Sequence, residues 1–167
     1  MEFALSPHEW IDLIQKMGMS VLCGALIGLE REWARKQAGF RTMILICLGS
    51  TLYITVSRLS SASAGQMFDV TRIASQVVTG VGFIGAGAII QARGQVAGLT
   101  TAATIWVTAA IGLLVGAGYS LLALVATTVV LIVLTVVYRI DRLFIRRMLK
   151  KGERADHHLD QWRDGDE

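Results

Sequence analysis

The sequence predicts an all-α, polytopic membrane protein with five transmembrane helices, and two observations carry that prediction. Apolar residues make up 53% of the 167 residues before the 17 glycines are counted, and charged residues make up only 17%. Soluble domains average about 25% charged residues. No Asp, Glu, Lys or Arg occurs from Gly94 to Tyr138, a stretch long enough for two crossings of about 20 residues each. This composition excludes a disordered chain and a disulfide scaffold, and argues against a compact soluble enzyme.

Five apolar runs place the helices in order. They cover about residues 11–29, 42–57 (extending to 59), 73–90, 99–116 and 119–138. Acidic residues precede the first basic residue, Lys16, so we expect the first run to remain as a membrane helix rather than act as a cleaved signal peptide. The fourth and fifth runs are joined by a short Gly-Ala-Gly-Tyr-Ser turn, which predicts a tight antiparallel pair of helices.

Basic residues orient the predicted bundle. Four lie between helices 1 and 2, two between helices 2 and 3, one between helices 3 and 4, and eight after helix 5. Because cytoplasmic loops carry the excess of Lys and Arg, the amino terminus is expected outside and the carboxyl terminus in the cytoplasm. Residues 1–138 then form the five-helix domain in the lipid bilayer.

Residues 139–167 form the predicted cytoplasmic part. Residues 139–151 carry six basic residues with an apolar stripe beside them, as in a short amphipathic helix on an anionic leaflet. The alternative is a positive-inside flank with no specific partner. Most of the charged residues in 152–167 are acidic, and this segment is expected to form a mobile tail.

Helix 3 carries four glycines, Gly80, Gly82, Gly85 and Gly87. Gly80–Gly85 matches a dinucleotide-binding pattern, but that pattern needs a preceding strand and a following amphipathic helix, and here it lies inside an apolar run. Gly80 and Gly87 share one helix face and Gly82 and Gly85 the opposite face. Two small-residue faces predict a central helix packed on both sides. The alternative is a broken helix that lines a polar cavity.

Two further glycine pairs permit close approach of helices: Gly24 with Gly28 in helix 1, and Gly112 with Gly116 in helix 4. Each is either an internal contact or an oligomer contact. Because symmetric dimers are the commonest oligomers, we predict a homodimer with its interface at one of these pairs. Thr100, Thr101, Thr104 and Thr108 share one arc of helix 4 and are expected to face the bundle, as packing hydroxyls or as the lining of a polar pathway.

Charged residues stop at the ends of the predicted helices. Glu30 and Arg31 close helix 1, Arg41 opens helix 2, and Asp69 and Arg72 precede helix 3. In the predicted topology the first three are cytoplasmic and the last two are external, so they cannot form one site. Glu30 with Arg41 is expected either to clasp the first loop as an ion pair or to contact a partner.

Enzyme chemistry and cofactor binding find little support in the sequence. The three histidines lie near the termini, and no Cys/His cluster has metal-ligand spacing. Cys23 and Cys47 lie inside apolar runs and are expected to be small packing residues. We therefore predict no catalytic residue, no metal ligand, no cofactor and no nucleic-acid partner.

Four ordered strings resemble motifs of the MgtC/SapB family of bacterial inner-membrane proteins. They are Gly24-Ala-Leu-Ile-Gly-Leu-Glu-Arg-Glu32, then Ala38-Gly-Phe-Arg-Thr42 with Leu48-Gly-Ser50, then Arg72-Ile-Ala-Ser-Gln-Val-Val-Thr-Gly-Val-Gly-Phe-Ile-Gly-Ala-Gly87, and Gly98-Leu-Thr-Thr-Ala-Ala-Thr-Ile-Trp106. The resemblance covers about residues 24–118. The sequence departs from the family pattern at Ala97, where many relatives carry a basic residue. We expect no counterpart of the soluble carboxyl-terminal domain that several relatives carry.

The resemblance implies a function in magnesium limitation, in survival inside host cells or under other envelope stress. It points to a non-enzymatic regulator that contacts other membrane proteins, such as the F-type ATP synthase. The alternative is a transporter or channel for Mg²⁺ or another small ion. Motif identity marks nine residues as functional: Glu30, Arg31, Arg41, Asp69, Arg72, Gln76, Thr100, Thr101 and Trp106. Gly98 joins the glycines already named as a packing residue.

Overall fold

The computed structural model describes residues 6–63, 69–92 and 95–137. They belong to two compact units, one reaching Leu131 and the other beginning at Ile132. The elements are α1 (Pro7–Trp33), α2 (Phe40–Ser63), α3 (Val70–Gly87), β1 (Ile90–Ala92), β2 (Gln95–Ala97), α4 (Leu99–Ala117) and α5 (Ser120–Ile132), followed by a π-helical turn (Val133–Val137).

The predicted helical class is confirmed, and three of the five predicted spans are long and apolar enough to cross a membrane. These are α1, α2 over Phe40–Ser61, and α4. The apolar segment Ser120–Val136 is shorter, and α3, although 18 residues long, is not among these three helices. The predictions for residues 139–151 and 152–167 lie outside the described residues.

α1 begins four residues before its apolar run because its first turn is capped. The Ser6 amide donates to Glu9 Oε2 at 2.7 Å, and the Glu9 amide donates to Ser6 Oγ at 3.4 Å. This reciprocal capping box satisfies two main-chain donors at the helix start. Pro7 follows the cap, where its missing N–H costs nothing.

α2 is the centre of the bundle, and α1 packs on it through glycines. A Cβ on Gly24 would lie 2.7 Å from Ile44 Cα, and one on Gly28 would lie 2.7 Å from Phe40 Cα. Real Cβ atoms do not approach a backbone this closely, so only glycine permits the contact. As the residue number rises along α1 it falls along α2, and the two helices are therefore antiparallel.

α4 packs on α2 in the same way. A Cβ on Gly112 would lie 2.2 Å from the Cys47 carbonyl oxygen, and one on Gly116 would lie 2.8 Å from that of Thr51. Residue numbers rise together in this pair, so α4 runs parallel to α2. Both glycine pairs assigned in the sequence to a dimer interface are therefore occupied within the chain, and that placement of the interface is wrong.

A hydroxyl joins α2 to α4 at the closest approach. Thr51 Oγ1 donates to the Gly112 carbonyl oxygen at 2.9 Å and to that of Cys47 at 3.0 Å. Other buried threonines bond within their own helices: Thr108 to the Thr104 carbonyl at 2.7 Å, and Thr127 to that of Ala123 at 2.8 Å. Such bonds satisfy hydroxyls that hydrocarbon could not.

α3 lies at the edge of the bundle rather than at its centre. A Cβ on Gly85 would make ordinary contact with Ala102 at 3.7 Å, whereas Cβ atoms on Gly80, Gly82 and Gly87 would meet nothing within 4 Å. The prediction of a central helix packed on both faces is wrong, because glycine pairs of α1 and α4 occupy the two sides of α2. The contact of Gly85 with Ala102 places the end of α3 beside the first turn of α4. Because α4 runs parallel to α2, the end of α3 also lies at the height of the start of α2.

A short antiparallel pair of strands, which was not predicted from the sequence, lies between α3 and α4. Ile90 pairs with Ala97, and Ala92 with Gln95. Gly98 follows β2 with φ +91°, and a Cβ there would lie 2.0 Å from the Ala88 carbonyl oxygen. Only glycine adopts this left-handed backbone and fits this space.

The turn from α4 to α5 is tight, but the helices do not form the predicted close pair. Gly118 has φ +97°, and the Tyr119 amide donates to the Leu114 carbonyl at 2.9 Å, as in a Schellman cap. In the described part of the chain, close backbone packing joins α1 to α2, α2 to α4, α3 to α4, α1 to α4 and α2 to α3. α5 is absent from these pairs.

Gly112→Ala should lower the free energy of unfolding by about 1–3 kcal/mol, since the new methyl group overpacks the α2–α4 contact. Gly82→Ala is the matched control. Its Cβ meets nothing within 4 Å, so the change should be neutral or stabilising by up to about 1 kcal/mol through helix propensity. Reversible unfolding in detergent, followed by circular dichroism, measures both. Equal effects of the two substitutions would contradict the packing described here.

Candidate functional site

A groove separates α2 from α3, and two of the residues predicted from the sequence, Gln76 and Gly80, line it. Its volume is about 670 Å³. From α2 it is lined by Thr42, Leu45, Ile46, Gly49, Ser50 and Tyr53, and from α3 by Ile73, Gln76, Val77, Gly80, Val81 and Ile84. We call this surface the α2–α3 groove. Since α3 ends level with the start of α2, Thr42 and Ile84 mark one end and Tyr53 and Ile73 the other.

The groove is mainly apolar, with a few polar side chains spaced along its length. Thr42 stands at one end, Ser50 near the middle, and Tyr53 and Gln76 towards the other end. α3 is a continuous helix here, so the alternative of a broken helix that lines a polar cavity is wrong, and the cavity beside α3 is mainly apolar. Gly49 and Gly80 leave open space on the two walls.

Glu30 pairs with its neighbour Arg31 rather than with Arg41. Arg31 Nε donates to Glu30 Oε2 at 2.5 Å. The Arg31 side chain is 3% exposed, and its Nη1 has no hydrogen-bond partner among the described residues. Arg41 is exposed and forms no ion pair with a described residue. The predicted Glu30–Arg41 clasp is therefore wrong, because burial of Arg31 demands the nearest carboxylate.

Glu32 holds the first loop in place of that clasp. Its Oε2 accepts a hydrogen bond from the Phe40 amide at 3.0 Å. Phe40 begins α2, so the carboxylate lies at the positive end of the helix dipole. From the sequence, Glu32 was named only as the last residue of the first family motif. An acidic residue shortly before a second helix is the signal that points to such a cap.

A second buried cation was also missed. Lys16 is 4% exposed and pairs with Asp12, one turn earlier in α1. It lies on the same buried face of α1 as Ser20 and Cys23. The i, i+4 spacing of opposite charges was the available signal.

Asp69 has a structural position as the cap of α3. Its Oδ1 accepts hydrogen bonds from Thr71 Oγ1 at 2.6 Å, from the Thr71 amide at 2.9 Å and from the Arg72 amide at 3.3 Å. The side-chain bond from Thr71, then the main-chain bond from Arg72, hold the pKa of Asp69 below its usual value. The capping contribution is thus present at neutral pH and is lost as pH falls through that lowered pKa.

The remaining predicted residues are spread along the bundle. Arg72 and Thr100 are exposed, Trp106 is 51% exposed, and Thr101 is buried. Arg72 lies one turn before Gln76 and Arg41 one turn before Leu45, which places the two arginines at opposite ends of the α2–α3 groove. The described residues contain no group of three or more His, Cys, Asp or Glu that would hold a metal ion.

Glu30→Gln should lower the free energy of unfolding by about 3 kcal/mol, because it leaves the buried Arg31 without its carboxylate. Arg41→Gln, at an exposed and unpaired position, should cost less than about 1 kcal/mol. The double variant should show a coupling below about 0.5 kcal/mol. Denaturant titration in detergent gives all three values, and a coupling above 1 kcal/mol would restore the Glu30–Arg41 pair.

The chain matches the family model described as "MgtC family" over residues 17–143. It is 45% identical over 132 residues to the Escherichia coli K12 protein named "Putative magnesium transporter YhiD", covering 77% of this chain and 61% of that protein. It is 37% identical over 149 residues to Protein SrpB of Synechococcus elongatus, covering 83% of this chain and 82% of that protein. It is 44% identical over 112 residues to Protein MgtC of Salmonella typhimurium LT2, covering 67% and 46%.

No solved structure matches the chain. The chain spans about half to three fifths of the length of YhiD and MgtC. The family match nevertheless covers α1 from Met17 onward and all of α2, α3 and α4, with the Glu30–Arg31 pair and the α2–α3 groove. The chain belongs to the MgtC family.

Proposed function

We propose that the protein is a non-enzymatic regulator of the bacterial inner membrane that acts by contacting other membrane proteins during adaptation to magnesium limitation or envelope and host stress. The observation that carries the proposal is the exposed face of α3. Phe83 is 84% exposed and Ile84 49% exposed, and on the same face a Cβ on Gly80 or Gly87 would meet nothing within 4 Å. In lipid, small-residue faces of this kind support close helix association.

The packed core supports regulation over transport. α1, α2 and α4 meet at distances that exclude even a methyl group at Gly24, Gly28, Gly112 and Gly116. The buried Thr51, Thr55 and Thr108 direct their hydroxyl hydrogens to main-chain carbonyls. A path for Mg²⁺ needs several oxygen ligands or room for its bound water, and this core offers little of either.

Transport of Mg²⁺ or another small ion is the second candidate. The relative YhiD is named a magnesium transporter, which favours this function. The polar side chains of the α2–α3 groove supply hydroxyl and amide oxygens. The F-type ATP synthase is the partner that the family resemblance suggests for the regulatory function. A homodimer remains part of the proposal, without the glycine pairs of α1 and α4 as its interface.

The regulatory function predicts no Mg²⁺ flux into proteoliposomes above that of protein-free liposomes, measured with an enclosed divalent reporter and a pH dye. In inverted membrane vesicles, the protein should lower proton-driven ATP synthesis. Phe83→Ala should relieve this effect because it removes an exposed side chain of α3. Leu121→Ala, at a 77% exposed position of α5, is the matched control. Flux that scales with protein amount would establish the transporter instead.

We also propose that α1 crosses from outside to cytoplasm, as the positive-inside bias requires. His8→Cys and Gln37→Cys test it. Both positions are exposed, His8 in the first turn of α1 and Gln37 in the loop that follows α1, and the native Cys23 and Cys47 are buried. An impermeant maleimide should label His8→Cys in intact cells and Gln37→Cys only after lysis. The reverse labelling pattern would invert the topology.

A further inference from the structure

We propose that the α2–α3 groove binds an anionic phospholipid, with one acyl chain lying between the two helices and the phosphate at Arg41. The inference does not rest on the regulatory function proposed above. It combines the length of the groove, the chemistry of its walls and the charge at its Thr42 end.

The groove has the length of one leaflet. Its lining residues extend from Thr42 to Tyr53 on α2, which is about 16 Å at a rise of about 1.5 Å per residue. The hydrocarbon core of a bilayer is about 30 Å thick, so a groove of this length fits a chain from a single leaflet.

The groove walls suit an acyl chain. Leu45 and Ile46 of α2 face Val81 and Ile84 of α3, and all four present apolar side chains. At the middle, Gly80 carries no side chain, and a Cβ there would meet nothing within 4 Å. An acyl chain that moves from the bilayer into this groove loses little free energy of solvation, because lipid tails and apolar side chains are similar in polarity.

Arg41 places a positive charge at the Thr42 end. It lies one turn before the groove residue Leu45, is exposed, and has no carboxylate within ion-pair distance among the described residues. The Phe40 amide is bonded to Glu32 and the Met43 amide to Gly39. The amides of Arg41 and Thr42 lie in the same first turn of a 24-residue helix, where main-chain N–H groups attract phosphate.

Each end of the groove has one arginine near a capping carboxylate. Arg72 follows Asp69, which caps α3, and Arg41 follows Phe40, whose amide is bonded to Glu32. The two ends differ in their other cations. The loop before Arg41 contains Arg35 and Lys36 as further cations. The cytoplasmic leaflet, where the predicted topology places this loop, carries the anionic lipids. Charge complementarity therefore assigns the headgroup to the Arg41 end.

Lipid binding by the purified full chain tests the proposal. Native mass spectrometry should show preferential retention of phosphatidylglycerol over phosphatidylethanolamine with the same acyl chains. Arg41→Gln should weaken phosphatidylglycerol binding about fivefold, the effect of roughly one basic residue near an anionic surface. Arg58→Gln is the matched control, because Arg58 is exposed on the same helix beyond the groove.

A second pair of variants tests the acyl-chain site. Gly80→Leu should fill the groove and reduce retention of both lipids, whereas Gly82→Leu, equally open but outside the lining, should change neither. Gly49→Leu replaces Gly80→Leu if that variant does not fold, since it fills the same groove from α2 and meets nothing within 4 Å.

Four results would overturn the proposal. They are equal retention of the two lipids by the native chain, equal binding by the Arg41 and Arg58 variants, and displacement of the lipid by inorganic phosphate alone, which would indicate an anion site without a chain. The fourth is a loss of dimer mass in Gly80→Leu with lipid retention unchanged, which would assign the groove to a second copy.

Discussion

The architecture depends on the close approach of α2 to both α1 and α4, which four glycines permit. Gly24 and Gly28 bring α1 onto the backbone of α2, and Gly112 and Gly116 bring α4 onto it from another side. Apolar side chains gain little from meeting one another in lipid, so close backbone packing and hydroxyl bonds must hold such helices together. The bond from Thr51 to the Gly112 carbonyl lies at this contact. The same approach leaves no place for α3 at the centre.

With α2 at the centre, the residues of the family motifs fall into two groups: some stabilise the fold, and others are exposed on its surface. The charged pair Glu30–Arg31 belongs to the packed end of α1, where breaking it leaves a buried charge. Asp69 caps α3. Arg41 and Gln76, by contrast, are exposed: Gln76 lines the α2–α3 groove, and Arg41 lies at its Thr42 end. Motif residues of one kind therefore hold the fold, and those of the other kind remain available to lipid or to a partner.

Membership of the MgtC family and the geometry together frame the function. The chain spans 61% of YhiD and 46% of MgtC, so the activity of those longer proteins enters only as a proposal. The part it shares with them consists of the glycine-packed helices and an exposed α3. A tight core with a small-residue face on its outside is suited to association within the membrane.

The sequence by itself determined the helical membrane class, the family, and most helix positions, because apolar runs and charge gaps are local and one-dimensional. It also marked Gln76 and Arg41, which the structure places along one groove. Only the tertiary structure decided that α2 is central, that Glu30 pairs with Arg31, and that Glu32 caps α2. A small-residue face looks the same in sequence whether its partner is inside the chain or outside it. The partner is fixed by three-dimensional packing, which helical periodicity does not encode.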